Sequence, residues 1–342
     1  MAGALLDHIY DGVISPESLL EAWAEFVIGK RSRGDVQEFG RNLMANLLDL
    51  HESLSDMSYR HGPYEEFVVC DPKRRVIHKA TVRDRVVHHA VHRSLYPAFD
   101  RAFIHDSFSC RVGKGTHRAL DRFAALARRA GRNRSRTCWV LKGDIRRFFA
   151  SVDHAILMRI LGERVGDERL VWLTERIVGS FSTAGIPGVG LPLGNLTSQL
   201  FANAYLNEMD RFVKHELRAK FYIRYVDDFA LLSADRRRLE GAILPIRGFL
   251  CERLRLELHP DKVFLKTLAS GVDFLGWTHF PDHRTLRAAT RRRMLRRISE
   301  CPADGTVNSY LGLLSHGNAR KLEGEVRNIA WLFQNDLEHA SL

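Results

Sequence analysis

Two aspartates, Asp227 and Asp228, stand side by side in a stretch that otherwise reads as strand: Phe221-Tyr222-Ile223-Arg224-Tyr225-Val226 before them, Phe229-Ala230-Leu231-Leu232 after them. Acids are poor strand formers, and adjacent carboxylates repel each other. A surface turn is the ordinary reason for an Asp-Asp pair. Flanks this apolar point instead to a tight hairpin inside a packed sheet, with the acids at or near the bend. Such a pair needs a counter-charge. A hard divalent cation supplies one, because Mg²⁺ takes one or two protein carboxylates and fills its remaining positions with water and substrate phosphate. A third acid, Asp144, closes the short run Trp139-Val140-Leu141-Lys142-Gly143. One Asp on a strand and an Asp pair on a neighbouring hairpin form a donor set for two such ions ~3.5–4 Å apart, the arrangement that serves displacement at phosphorus.

The charge balance agrees with a phosphate-bearing partner. The 342 residues carry 52 Lys and Arg against 41 Asp and Glu, a net charge of +11. That excess suggests nucleic acid, although it also suits a merely solubilising surface. With 45% hydrophobic and 27% charged residues the chain is that of a folded protein of two or three subdomains. No apolar run approaches the ~18 residues that cross a bilayer, and residues 1–12 lack the basic and long apolar segments of a secretory leader. A cytoplasmic location is therefore expected, with no membrane partner. The five cysteines are scattered and form no CxxC pair, so neither a disulfide framework nor a cysteine zinc site is implied. His88 and His92, like His279 and His283, sit four apart, but a lone pair at that spacing lacks the further ligands of a metal motif such as HExxH, and both pairs read as structural.

Along the chain, Val36, Phe39, Leu43, Leu47, Leu50 and Leu54 recur at helical spacing, which predicts one apolar helix stripe before the break at Gly62-Pro63. Short strands are expected at 67–69 and 75–77, then helices around 84–96 and from near Thr116. Arg128, Arg129, Arg132, Arg134, Arg136, Lys142, Arg146 and Arg147 crowd the next segment, as a solvated helix end or a phosphate-facing surface. After the strand at 139–141 comes a long helix behind the 185–196 loop. Its expected N-cap is Thr197, and its expected core is Leu200, Phe201, Ala204, Tyr205, Met209, Phe212 and Val213. A further helix is expected over about 236–254. Strand, helix, hairpin, helix, strand predicts an α+β domain whose helices lie on one face of the sheet. The end of the chain is again basic, with seven arginines between 284 and 297.

Taken together, these segments resemble a known set. Tyr225-Val226-Asp227-Asp228 resembles the YxDD box of reverse transcriptases, and Asp144-Ile145-Arg146-Arg147-Phe148-Phe149 their first metal-binding motif. The run Gly190-Leu191-Pro192-Leu193-Gly194-Asn195-Leu196-Thr197-Ser198-Gln199 resembles the loop-to-helix motif beneath the incoming nucleotide. Leu258-His259-Pro260-Asp261-Lys262 resembles the lysine motif, and Phe274-Leu275-Gly276-Trp277 the primer grip. Asp84-Arg85-Val86-Val87 and Ser109-Cys110-Arg111-Val112-Gly113-Lys114-Gly115 resemble the two fingers motifs. The motifs follow the family's order over roughly residues 60–330.

The resemblance implies an α+β right-hand polymerase. Its parts would be an N-terminal helical segment at 1–62, fingers at 63–136, palm at 137–283 with a fingers excursion near 164–189, and thumb at 284–342. It implies two Mg²⁺ ions, with Mn²⁺ able to substitute, on Asp144, Asp227, Asp228 and the Ile145 carbonyl. Arg111, with Arg75 or Lys79, would hold the triphosphate. Phe149 would exclude a ribose 2′-hydroxyl, Lys262 would assist the leaving pyrophosphate, and Gly194 and Gln199 would lie beside the nucleotide. Phe274, Leu275, Gly276 and Trp277 would meet the primer. Arg291, Arg292, Arg293, Arg296 and Arg297 would meet the backbone of the duplex. The implied partners are template RNA, primer, cDNA and deoxynucleoside triphosphates.

Within the family, the nucleotide-side loop departs from the common form. Most reverse transcriptases have Gln-Gly, three residues, then Ser-Pro, whereas this chain has Leu193-Gly194, three residues, then Ser198-Gln199. That pattern is similar to the reverse transcriptases of diversity-generating retroelements. It implies errors at template adenines, cDNA that diversifies a target gene, and a small basic accessory protein. Leu193 can neither donate nor accept the hydrogen bonds that a Gln offers. Two other expectations stand beside this one. The first is a defence-associated bacterial reverse transcriptase with a noncoding RNA template. The second is an inactive RNA-binding scaffold on a polymerase fold, against which the intact acids argue.

Overall fold

The computed structural model describes residues 5–70, 73–300 and 303–340. The rest of the expected N-terminal, fingers and thumb segments (residues 1–4, 71, 72, 301, 302, 341 and 342) lies outside the described residues. Helices α1 (Tyr10–Ile14), α2 (Pro16–Phe26), α3 (Gly34–Arg41) and α4 (Leu43–Ser55) come first. The stripe predicted as one helix is therefore two, because Asn42 leaves helical geometry at φ −118 and ψ 39. The Asn46 side chain then donates to the Phe39 carbonyl left open by the break. Strands β1 (Glu65–Val69) and β2 (Arg75–Lys79) form an antiparallel hairpin. Helices α5 (Val82–Ala102) and α6 (Thr116–Ala130) follow.

The centre of the molecule is a four-stranded sheet in the order β4-β5-β3-β6, made from β3 (Trp139–Asp144), β4 (Phe221–Tyr225), β5 (Asp228–Ser233) and β6 (Phe264–Thr267). Between β3 and β4 lie α7 (Phe148–Ser151), α8 (His154–Gly162), α9 (Glu168–Gly179) and α10 (Leu196–Arg211), and α11 (Arg236–Leu254) joins β5 to β6. Alternate residues of the strands go to different cores. Leu141, Tyr222, Phe229 and Leu231 share a core with α10 and α11, while Val140, Ile223, Ala230 and Leu232 pack with Leu120, Phe123 and Leu126 of α6. The expectation of helices on one face alone is thus corrected. The strands are apolar on both faces, and α6, which precedes β3 in the chain, covers the second one.

Helix α10 starts at Leu196 with Asn195 in the cap position, not Thr197 as its hydroxyl suggested. The Thr197 hydroxyl bonds the buried His88 ring at 2.6 Å instead, and His88 meets His61 at 3.0 Å on its other side. A second sheet of β7 (Val272–Phe274), β8 (Trp277–His279) and β9 (Arg284–Leu286) leads into α12 (Ala288–Glu300), α13 (Asp304–Leu314) and α14 (Arg320–Ala340). No described helix is long and apolar enough to cross a membrane.

Candidate active site

Strand register assembles the acids. β3 pairs antiparallel with β5, so that Asp144 stands opposite Asp228. The β4–β5 hairpin closes between Tyr225 and Asp228, leaving Val226 and Asp227 as a two-residue turn. A turn this tight favours φ > 0 at its first central position, normally a glycine's place. Val226 adopts φ +54 there, a strained geometry for a β-branched residue. Its carbonyl accepts from Arg224 Nη1 at 3.1 Å, and the Asp227 carbonyl accepts from the Ile145 amide at 3.2 Å. The turn is therefore tied to the strand on each side of it. The residues around Lys262 join from a third direction, since the His259 amide donates to the Asp144 carbonyl at 2.8 Å.

The electrostatics are those of a site built for added positive charge. Burial pushes the Asp228 carboxyl up to about 6; Lys142 pulls it down, and the Asp144 and Asp227 carboxylates push it further up. Burial, then Asp144, raises Asp227, against the pull of Lys262 and Arg75. Lys262 Nζ donates to Asp144 Oδ1 at 2.8 Å, and Lys142 Nζ lies 3.1 Å from Asp228 Oδ2. Asp228 Oδ1 is sealed from solvent with no hydrogen-bond partner. Among the described residues no three carboxylate, imidazole or thiol groups already close on one point as a finished metal site. The donors nevertheless fit Mg²⁺, which uses few protein carboxylates and leaves positions for substrate oxygens. The orphaned Asp228 oxygen is the observation in favour.

A second cluster lies alongside. The His78 amide of β2 donates to the Leu193 carbonyl at 2.9 Å, and Asn195 Nδ2 donates to the His78 carbonyl at 3.0 Å. Gly194 sits between them at φ +109, and a Cβ there would come within 2.7 Å of Ile77 Cγ2. Only glycine fits that conformation and that approach. Lys79, Gly194 and Gln199 line one cavity of about 320 Å³, together with Lys30, Arg33 and Arg85. Lys79 is paired there with Asp35 at 3.0 Å and Glu65 at 2.9 Å. Phe149 packs edge-on against Phe148, and its carbonyl accepts from the Leu191 amide at 2.7 Å, which joins the Asp144 segment to the same loop.

Other expected site residues stand apart from the carboxylates or turn inward. The Arg111 guanidinium is engaged by Asp100 Oδ1 at 2.6 Å and by the carbonyls of Ile104, Ser107 and Asp100. Phe274 and Trp277 are 0% and 1% exposed. Phe274 stacks on Phe123, and Trp277 lies against Gly317. Of the four residues expected at the primer, these two thus have their rings packed inward. Alternation along β7 and β8 turns both rings into the core, and the intervening Leu275 and Gly276 form the partly exposed turn. On α12, Met294 and Ile298 are buried, while Arg291, Arg292, Arg296 and Arg297 face out. Arg291 is bonded to Glu325 at 2.8 Å, and Arg293 is half-buried.

Two functional groups escaped the sequence reading. Lys142 had a signal: two residues before Asp144 on one strand, it must share that residue's face. Arg224 had a weaker one, as a lone charge in an apolar run. It is 0% exposed and makes a two-point contact with Asp210, Nε to Oδ1 at 2.8 Å and Nη2 to Oδ2 at 2.7 Å.

Comparison with known proteins agrees with this geometry. Residues 71–279 match the family model of reverse transcriptase (RNA-dependent DNA polymerase). Protein YkfC of Escherichia coli (strain K12) is 27% identical over 293 residues, covering 74% of this chain and 74% of YkfC. Group II intron-encoded protein LtrA of Lactococcus lactis subsp. cremoris is 25% identical over 232 residues, which is 64% of this chain but only 37% of LtrA. Apo telomerase from Candida tropicalis, truncated from its C-terminal domain, superimposes with a TM-score of 0.50 at 10% identity, over 69% of this chain and 59% of that one, a likeness of fold alone. The matched span holds all three aspartates, both lysines and the glycine loop, and the chain belongs to the reverse transcriptase family of RNA-directed DNA polymerases, related to its group II intron and bacterial members.

Proposed function

We propose that this site extends a primer with deoxynucleoside triphosphates along an RNA template, making cDNA. The register that sets Asp144 against Asp228, with Asp227 in the adjoining turn, carries the reading. Divalent cations bound there, Mg²⁺ or Mn²⁺ in its place, would activate the primer 3′-hydroxyl and offset the charge of the leaving pyrophosphate. The chain's own part is to present Asp144, Asp227, Asp228 and the Ile145 carbonyl as oxygen donors. Lys262 then neutralises or protonates the pyrophosphate. Arg75, already felt by Asp227, meets the triphosphate with Lys79, and Arg111 keeps the neighbouring loop in shape. Phe149 takes the space of a 2′-hydroxyl, while Gly194 and Gln199 flank the nucleotide. The Leu275-Gly276 turn receives the primer, supported by Phe274 and Trp277 from within. The outward arginines of α12, with Arg293, follow the duplex backbone.

The same loop supports a finer reading, a low-fidelity enzyme that errs most opposite template adenine and serves targeted gene diversification with a basic accessory protein. Leu193 offers the nucleotide side no hydrogen bond, and loss of such a contact lowers discrimination between right and wrong pairs by ~1–3 kcal/mol. Primer extension tests the main reading. Asp227→Ala with Asp228→Ala should abolish Mg²⁺-dependent cDNA synthesis on an RNA template while leaving RNA binding intact. Retained synthesis would make these acids structural.

A further inference from the structure

At the end of the palm away from the acids, the chain gathers cations that the active site does not use. β3 begins at Trp139 and ends at Asp144, so the five steps between them at ~3.3 Å each put the two ends roughly 16 Å apart. Just before Trp139, Arg129, Arg132 and Arg136 line a groove of about 260 Å³, facing Lys220 and Arg238. Arg128, Arg134 and Arg136 line a second cavity of about 320 Å³ on the other side of the same loop. The one acid in the groove, Asp235, accepts the backbone amides of Arg237 and Arg238 as the cap of α11.

Three features set this loop apart from a solvated helix end. Arg128 and Arg129 complement the C-terminal dipole of α6, but that role requires no further arginines. Arg132, Asn133 and Arg134 are successive left-handed residues at φ 47, 52 and 72, held by backbone bonds from Asn133 to Arg128 and from Arg136 to Gly131. Left-handed geometry costs roughly 1–2 kcal/mol for each such residue, and here it fans arginines outward. Finally, Arg129 and Lys220 both lie over the Phe221 ring, at 5.7 and 5.6 Å. Like charges gathered on one ring repel each other, and a polyanion relieves them. Arg134 is within electrostatic reach of Asp282, which is itself bonded to His283.

We propose that this end of the palm is a second nucleic-acid surface, outside the primer–template cleft, which takes the phosphodiester backbone of a folded stem. The inference rests on the reading that the chain acts on nucleic acid. The stem has two possible sources, a folded part of the template RNA or duplex DNA. Arginines gathered along a groove contact phosphates, which set register and orientation rather than read sequence.

The test is the variant Arg129→Gln/Arg132→Gln/Arg134→Gln/Arg136→Gln. Affinity for an RNA hairpin and for a DNA hairpin of the same sequence is measured between 50 and 200 mM salt, and extension is measured on a short unstructured template. The expected result is at least a ten-fold loss of hairpin affinity, with the salt slope reduced by about three, unchanged thermal unfolding and short-template extension within two-fold of the parent. Loss for the RNA hairpin alone assigns the surface to folded template, and loss for both assigns it to any duplex backbone. Unchanged affinity and slope would overturn the proposal, as would extension that falls in step with binding, because the arginines would then belong to the cleft. Repeating the binding in Asp227→Ala/Asp228→Ala keeps this outcome separate from that of the polymerase reading.

Discussion

Arg224 holds the Val226–Asp227 turn from one side, and its removal has a calculable cost. The guanidinium sits fully buried on Asp210, donates to Asn203 Oδ1 at 3.2 Å and Ser107 Oγ at 3.1 Å, and holds the Val226 carbonyl at 3.1 Å. Arg224→Met leaves the Asp210 carboxylate buried with Tyr222 as its remaining side-chain donor. Breaking a buried pair from one side costs about 3–5 kcal/mol, mostly for the stranded charge. Adding Asp210→Asn removes that charge and keeps an oxygen for the Tyr222 hydroxyl, so most of the loss should return. Nothing in the double variant replaces the bond to Val226. Its strained φ stores about 1–3 kcal/mol, and without that bond the turn relaxes and displaces Asp227. A displacement near 1 Å lowers a reaction rate by about 100-fold. The assay pairs urea unfolding with single-turnover primer extension on an RNA template. The single variant should lose both stability and rate, and the double variant should regain stability while remaining at least ten-fold slow. A double variant that recovers both would show that the hairpin holds itself and that Arg224 serves only the fold.

Three further outcomes are expected. Gly194→Ala drives a Cβ into Ile77 and strains φ +109, so the β2 hairpin lifts from the loop and KM for nucleotide rises at least ten-fold; Ile77→Ala should rescue only the steric part. Leu193→Gln should lower misincorporation opposite adenine by roughly ten-fold, which corresponds to ~1.4 kcal/mol of discrimination, in a sequenced cDNA pool; an unchanged error spectrum removes Leu193 from the fidelity argument. Burial holds His88 and His279 neutral, both pushed down to about 3. Between pH 6.5 and that value the unfolded chain binds protons that the folded chain refuses, so stability falls as pH falls, by up to ~1.4 kcal/mol per pH unit for each histidine. Urea midpoints at pH 7.5, 6 and 5 measure the slope, which His279→Gln should flatten.

How much of this the sequence disclosed depends on the range of the interaction involved. The hairpin around Asp227 and Asp228 was legible because turn chemistry and β-propensity are local, and the strand ending at Asp144 for the same reason. Their meeting is not local, since it needs β5 to insert between β4 and β3. Motif order supplied what pattern could not. Helix α6 was legible as a helix but not as the cover of the sheet's second face, because amphipathicity says that a face is buried and not against what. Thr197 was misassigned because its hydroxyl bonds a ring 109 residues earlier in the chain, so local capping rules had no access to it. The inward turn of Phe274 and Trp277 follows from local pattern alone, since period-two alternation puts both rings on one side of the hairpin and leaves Leu275-Gly276 as the turn. Arg224 was the hardest to see. β4 is an edge strand of the sheet, where a lone charge is normally solvated, and only the bridging of its free side by residues 106–108, with α6 on one face and Asp210 of α10 on the other, makes this one a buried ion. Once buried it must have a partner, and Asp210 on α10 provides it. The fold thus converts an inconspicuous arginine into a buried ion that also bonds the turn carrying Asp227.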